Sequence, residues 1–223
     1  RNGGFEIHTS LDSTLQTQLQ AGIDETLAKF TDVSENGKYA LQGAAVCIDN
    51  RTGYVVSISG GRGTDDEYNR GFLSRRQPGS TIKPLIDYAP AFETGYYYPS
   101  RIVNDHLFDK GPKNSGNKYY GEVYVREDLN RSLNTVAWQV LADIGVDYGT
   151  SYLDKMHFVG LSYLDNWNTS MSIGGFTEGA RGVDMARGSS VLAHGGMYSH
   201  NTCITGIDSQ YEGALSQENQ QEE

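Results

Sequence analysis

The chain has 223 residues, enough for one domain of ordinary size and short for two. Acidic residues outnumber basic ones 28 to 18, a formal net charge of −10, which argues against a nucleic-acid binder, because phosphate contacts need a basic face. No apolar run reaches the ~20 residues that cross a bilayer, and with neither a Gly period nor a heptad run, collagen-like and coiled-coil chains are excluded.

The chain opens at Arg1 without a signal-peptide pattern or an initiator Met, so a fragment or processed product is expected. Leu11, Leu15, Leu19, Ile23, Leu27 and Phe30 recur every three or four residues and predict an amphipathic helix, with Thr9-Ser10-Leu11-Asp12 as its capping start. Lys29 to Lys38 is polar and reads as a linker. Ala44–Asp49 and Tyr54–Ser59 are β-prone runs joined by Asn50-Arg51-Thr52-Gly53, a hairpin. Cys47 lies in the first of these runs and is expected to be a buried free thiol. With only Cys203 as a second cysteine, neither a disulfide framework nor a metal site is indicated.

Gly60 to Asn69 reads as loop, Gln77-Pro78-Gly79 as a turn, and Ser80 to about Thr94 as helical. Tyr96 to Tyr120, rich in Gly, Asn, Pro and Tyr, is expected to be a long irregular excursion. Leu133, Val136, Ala137, Val140, Leu141 and Ile144 form a second helical stripe, stopped at Gly145, and a further helix is expected from Val183 to His194, ending at Gly195-Gly196. Asp208 to Glu223 reads as a solvated tail or a cut end. Helices with an antiparallel hairpin and no βαβ alternation point to an α+β fold.

Two short motifs carry candidate chemistry. Ser80 and Lys83 stand at i, i+3 on a helix and so face the same way, with Pro78-Gly79 placing Ser80 at the helix start and the positive end of its dipole. A lysine neutralised by burial could take the serine proton. An ordinary capped helix with a surface lysine fits the same four residues. Ser132-Leu133-Asn134 lies at a junction between two helices, where a hydroxyl could relay a proton and an amide could hold a substrate; a plain N-cap serine is the alternative. His8, His106, His157, His194 and His200 show no metal spacing, and Asp65-Asp66-Glu67 reads as a solvated loop.

Taken together, the motifs resemble one family. Arg75-Arg76-Gln77-Pro78-Gly79-Ser80-Thr81-Ile82-Lys83-Pro84 closely resembles the active-serine segment of the penicillin-binding proteins, specifically the transpeptidase domain of the bifunctional class A members. Gly3 to Asp12, Gln42 to Asp49 with Thr52-Gly53 and Gly60-Gly61-Arg62, Asn69-Arg70, Ser132 to Ala137, Ser172-Ile173-Gly174-Gly175 and Gly182 to Gly196 resemble its other segments in the same order. The third family motif, Lys-Thr/Ser-Gly, has no match; Ile204-Thr205-Gly206 lacks the cation and reads as a coincidence.

The resemblance implies a transpeptidase fold like that of the penicillin-binding proteins and serine β-lactamases. It would be incomplete: a helical region plus the N-terminal part of an antiparallel sheet, stopping before Lys-Thr-Gly. Residues 1–40 would be a lead-in with the amphipathic helix, and 41–223 the N-terminal and central part of the domain. Ser80 would be the nucleophile and Lys83 its base; Ser132 would pass the proton on, and Asn134 would hold Lys83 or the substrate amide. Ser80, Ser132 and Asn134 would bind substrate. The implied partners are peptidoglycan stem peptides and β-lactams, with no cofactor, metal or nucleic acid. The membrane would be reached only through a missing N-terminal anchor, at the extracytoplasmic face of a bacterial cell. An open sheet edge would favour self-association or pairing with a C-terminal fragment. The alternatives are a D,D-carboxypeptidase or β-lactamase-like hydrolase, and a non-catalytic interaction fragment.

Overall fold

The computed structural model describes residues 4–63, 67–199 and 202–209. Asp65, Asp66, His200 and the tail from 210 onward lie outside the described residues. Strand β1 (Phe5–Thr9) leads into helix α1 (Ser13–Leu27), whose N-cap Asp12 accepts from the Leu15 N–H at 2.8 Å. No residue of α1 is buried. Glutamines carry its side-chain hydrogen bonds to the strands, while Leu19, Ile23 and Leu27 are half-buried, the last two against Gly43. Gln16 exchanges two 3.0 Å hydrogen bonds with the Ile58 backbone, and Gln20 accepts from Ser59 Oγ at 2.8 Å. Those side chains satisfy strand edge groups that would otherwise lack partners.

Strands β2 (Ala45–Ile48) and β3 (Val55–Ser59) form the expected antiparallel hairpin, with a register shift between Cys47 and Ile48. Cys47 is a free thiol but only half-buried, which corrects the expectation of a buried one. β8 (Ile204–Ser209) pairs antiparallel with β1, Ile207 opposite Ile7. Ile204-Thr205-Gly206 is therefore strand, and so are Asp208 and Ser209, which corrects the expectation of a solvated tail there. The excursion after Tyr96 is also more regular than expected: β5 (Ile102–Asp105) and β6 (Gly121–Tyr124) pair across it as a second hairpin.

After the short α2 (Arg70–Leu73), β4 (Arg75–Arg76) pairs with β7 (Ala180–Arg181). The central helical run follows. It is 3₁₀ over Gly79–Ile82, π over Pro84–Tyr88, and α only in α3 (Ala89–Glu93). Pro84 explains the tight start. It has no N–H to give the Ser80 carbonyl four residues back, so the Lys83 N–H takes that carbonyl instead. A 3₁₀ turn eclipses i and i+3, so Ser80 and Lys83 align more closely than on an α-helix. Helices α4 (Val125–Arg131), α5 (Asn134–Ile144), α6 (Val146–Lys155) and α7 (Gly182–Ala193) surround this run.

The run belongs to both hydrophobic clusters. Ile82, Leu85 and Ile86 pack with Leu141, Leu153 and Met171; Tyr88 and Ala91 pack with Val125, Val136 and Val140. Each fully buried aliphatic side chain contributes about 1.5–3 kcal/mol. Gly149 lets α6 close on the run, since a Cβ there would stand 2.8 Å from the Ile86 carbonyl.

The 3₁₀ turn Thr169–Ile173 ends at Gly174, with φ +84°, where a Cβ would stand 2.5 Å from the Gly79 Cα and carbonyl oxygen. Gly174→Ala is accordingly expected to cost about 2–5 kcal/mol through backbone strain and overpacking. Urea denaturation of both proteins measures it, and a change below ~0.5 kcal/mol would show that the segment yields freely.

Candidate active site

Lys83 lies one 3₁₀ turn inside the run and is 1% exposed, while Ser80, at the start of the run, is exposed. The Lys83 Nζ donates to three acceptors: the Ser132 carbonyl at 2.9 Å, Ser132 Oγ at 3.1 Å and Asn134 Oδ1 at 2.8 Å. An ammonium has three N–H groups, so the set is complete. The structure thus brings Lys83, Ser132 and Asn134 into direct contact and puts Ser80 one turn away on the same face.

Ser132 holds its place through backbone geometry. It ends α4 in the left-handed region, φ +54° and ψ +49°, a conformation that costs a non-glycine residue of order 1 kcal/mol. That turn points both its carbonyl and its hydroxyl at Lys83. Ser132 therefore closes α4; the residue preceding α5 is Leu133, which makes no side-chain cap, so the N-cap alternative for Ser132 is corrected. Asn134 opens α5. Its N–H donates to Asn114 Oδ1 at 2.7 Å and its Nδ2 to the Lys113 carbonyl at 2.9 Å, which leaves Oδ1 for Lys83.

Behind these residues is a polar layer that motif reading did not find. Asp105, on β5, is buried; it accepts from Asn114 Nδ2 at 2.7 Å, from the Tyr120 N–H at 2.9 Å and from the Thr135 hydroxyl. The second hairpin thereby braces the start of α5. On the other side of the run, Gln77 clamps Phe176: its Nε2 donates to the Phe176 carbonyl and its Oε1 accepts the Phe176 N–H, both at 2.7 Å. Two further acids, Asp87 and Asp128, are fully buried near Lys83, and the Tyr88 hydroxyl donates to Asp128 Oδ2. The available sequence signal was an acid inside an apolar run, Pro84-Leu85-Ile86-Asp87-Tyr88.

Burial sets the electrostatics. It pushes Lys83 below the ordinary lysine value, with Asp128 and Asp87 opposing. It pushes Asp128 up to about 7, against the Tyr88 hydrogen bond and the Lys83 charge, and Asp87 well above the usual carboxylate range. A lysine biased toward its neutral form, in contact with a hydroxyl and one tight turn from another, can accept a proton from one and pass it to the other. Three histidines stand elsewhere: His8 pairs with Asp208 at 2.8 Å, His106 packs at a tilt against Phe108, and His157 against Tyr198. Among the described residues no group of three or more His, Cys, Asp or Glu could hold a metal ion, and no helix is long and apolar enough to cross a membrane.

Comparison with known proteins gives the family. Residues 43–221 match the family model of the penicillin binding protein transpeptidase domain. Penicillin-binding protein 4 of Bacillus subtilis is 31% identical over 208 residues, covering 92% of this chain and 32% of that protein. Penicillin-binding protein 1A of Clostridium perfringens is 34% identical over 176 residues, covering 71% of this chain and 26% of that one. The chain thus spans about a third or less of the curated relatives it matches. The fold is similar to that of PonA1 from Mycobacterium tuberculosis, solved in complex with penicillin V, with a TM-score of 0.74 at 21% identity over 93% of this chain and 56% of that one. With a family match over most of its length and a buried lysine joining its two motifs, this chain belongs to the penicillin-binding protein transpeptidase domain family.

Proposed function

We propose that this chain carries the acyl-serine centre of a peptidoglycan D,D-transpeptidase. The observation that carries the reading is the contact of Lys83 Nζ with Ser132 Oγ and Asn134 Oδ1, one 3₁₀ turn from Ser80. On this reading Ser80 Oγ attacks the carbonyl between the two terminal D-alanines of a stem peptide, and neutral Lys83 takes the hydroxyl proton. The C–N bond breaks, the leaving nitrogen receives its proton through Ser132 Oγ, and D-alanine departs. The amino group of a neighbouring stem then attacks the acyl-serine and releases Ser80 as the cross-link forms. The Ser80 N–H is the one oxyanion donor this reading assigns. Asn134 orients Lys83 and, on the open side, the substrate amide.

A β-lactam offers Ser80 the same carbonyl and stays bound. The site of action would be the extracytoplasmic face of a bacterial membrane. Transfer to an amine is favoured over hydrolysis by one feature. The carboxyl groups near Lys83 that could activate a water, Asp87 and Asp128, have no exposed surface, whereas Ser80 is exposed.

Penicillin treatment followed by peptide mass spectrometry is expected to place the adduct on the peptide containing Ser80, and Ser80→Ala to abolish it. An adduct on Ser132, or one that survives Ser80→Ala, would overturn the assignment. Lys83→Ala is expected to slow acylation by at least about 10²-fold. Because Lys83 is buried, the same variant is expected to lose about 1–3 kcal/mol of stability, so rates are compared where circular dichroism shows both proteins folded. A variant acylating at the wild-type rate would remove Lys83 from the mechanism. Wild-type acylation is expected to rise with pH as the amine forms, with its midpoint below the ordinary lysine value of 10.5.

A further inference from the structure

Asp87 stands four residues beyond Lys83 on the same run, one turn deeper, and is 0% exposed. Neither of its carboxyl oxygens has a hydrogen-bond partner. Asp128, on α4, is equally buried; Oδ2 accepts from Tyr88 and Oδ1 has no partner. The two acids act on each other and on Lys83. The other titratable groups around them are Tyr88 on the same run, Asp105 on β5, which acts on Asp128, and Tyr97, which acts on Tyr88 and donates to Asp143 at 2.6 Å.

One buried cation can offset one buried anion. A second carboxylate with no donor on either oxygen would be an uncompensated buried charge, which costs far more than a neutral acid in the same place. The asymmetry of donors decides which acid ionises: Asp128 has the Tyr88 hydroxyl and Asp87 has none. We propose that Asp87 and Asp128 are positioning residues that act through Lys83: Asp87 keeps its proton, Asp128 carries the charge, and that single charge sets how tightly Lys83 holds its own proton. Burial raises both acids, Asp87 well above the carboxylate range and Asp128 to about 7, in the order this assignment requires. Above that pH the Asp128 charge favours the ammonium with its three acceptors. Below it the charge is lost, the ammonium has no counter-ion, and the amine forms more readily.

The role of Lys83 as base rests on the proposed function, but its titration does not. The Nζ resonance of Lys83 in isotope-labelled protein, assigned with Lys83→Arg, is followed by NMR against pH in wild type, Asp128→Asn, Asp87→Asn and Tyr88→Phe. Circular dichroism reports whether each variant folds. Asp128→Asn is expected to make Lys83 at least about tenfold more acidic. Tyr88→Phe is expected to move it the same way by less, because Asp128 loses the donor that favours its charged form. Asp87→Asn exchanges a neutral acid for a neutral amide and is expected to change it by less than about threefold. Equal drops in the Asp87 and Asp128 variants would mean two charges and overturn the proposal, as would no drop in Asp128→Asn. Should Asp128→Asn fail to fold, an unchanged Lys83 in Tyr88→Phe overturns it. The penicillin acylation profile, run in parallel, tests the base assignment separately: absence of wild-type acylation sinks the proposed function and leaves the Lys83 titration to decide the present inference.

Discussion

A buried ammonium must find three acceptors, and much of this domain is arranged so that Lys83 has them. One percent of its surface reaches solvent, so water cannot supply what the protein omits. The acceptors come from a left-handed serine at the end of one helix and an asparagine at the start of the next. Neither would hold its position alone. Asn134 is fixed by Asn114 and the Lys113 carbonyl, and Asn114 in turn by the buried Asp105 on the second hairpin. The irregular-looking stretch after Tyr96 is therefore the brace of the site: its strands and the turn between them put a carboxylate and an amide behind the start of α5.

The Ser80 end depends on a different constraint, a missing hydrogen. Pro84 has no N–H, the Ser80 carbonyl passes to Lys83, and the turn tightens until Ser80 and Lys83 eclipse. The run then widens to a π turn, in which the Ala89 N–H reaches back to the Pro84 carbonyl. Short departures from α geometry of this kind tend to sit at functional sites. The contact of Gly174 with Gly79 and the Gln77 clamp on Phe176 hold the entrance of the run from the outside, while two apolar clusters hold its interior.

The charge balance is equally local. On the proposed charge assignment Lys83 is drawn toward neutrality by burial and back toward the ammonium by Asp128, which water does not reach. A general base works best when its pKa lies near the operating pH, and in the proposed role of Lys83 burial would bring it down while a single counter-charge keeps it in the folded state. The surface ion pairs, such as Arg51 with Asp49, have no part in this balance and contribute little to stability.

The local signals were legible in the order of residues. The α1 stripe, the first hairpin, the stripe stopped at Gly145 and the serine–lysine and serine–asparagine pairs all appear where spacing and turn residues put them, because each depends on neighbours within a few positions. Three features were decided by tertiary contacts. Ile204 to Ser209 became a strand because Phe5 to Thr9, about two hundred residues earlier in the chain, offered it a ladder. Gln16 and Gln20 of α1 took their partners from β3, the Ile58 backbone and the Ser59 hydroxyl. Asp87, Asp105 and Asp128 took their roles from burial, and burial is a property of what surrounds a residue. Sequence by itself determined which groups could do chemistry and which family pattern they follow. Only the folded chain decided that one lysine would be cut off from water between them, since a pKa and a hydrogen-bond partner are set by distance in space, which spacing along the chain does not carry.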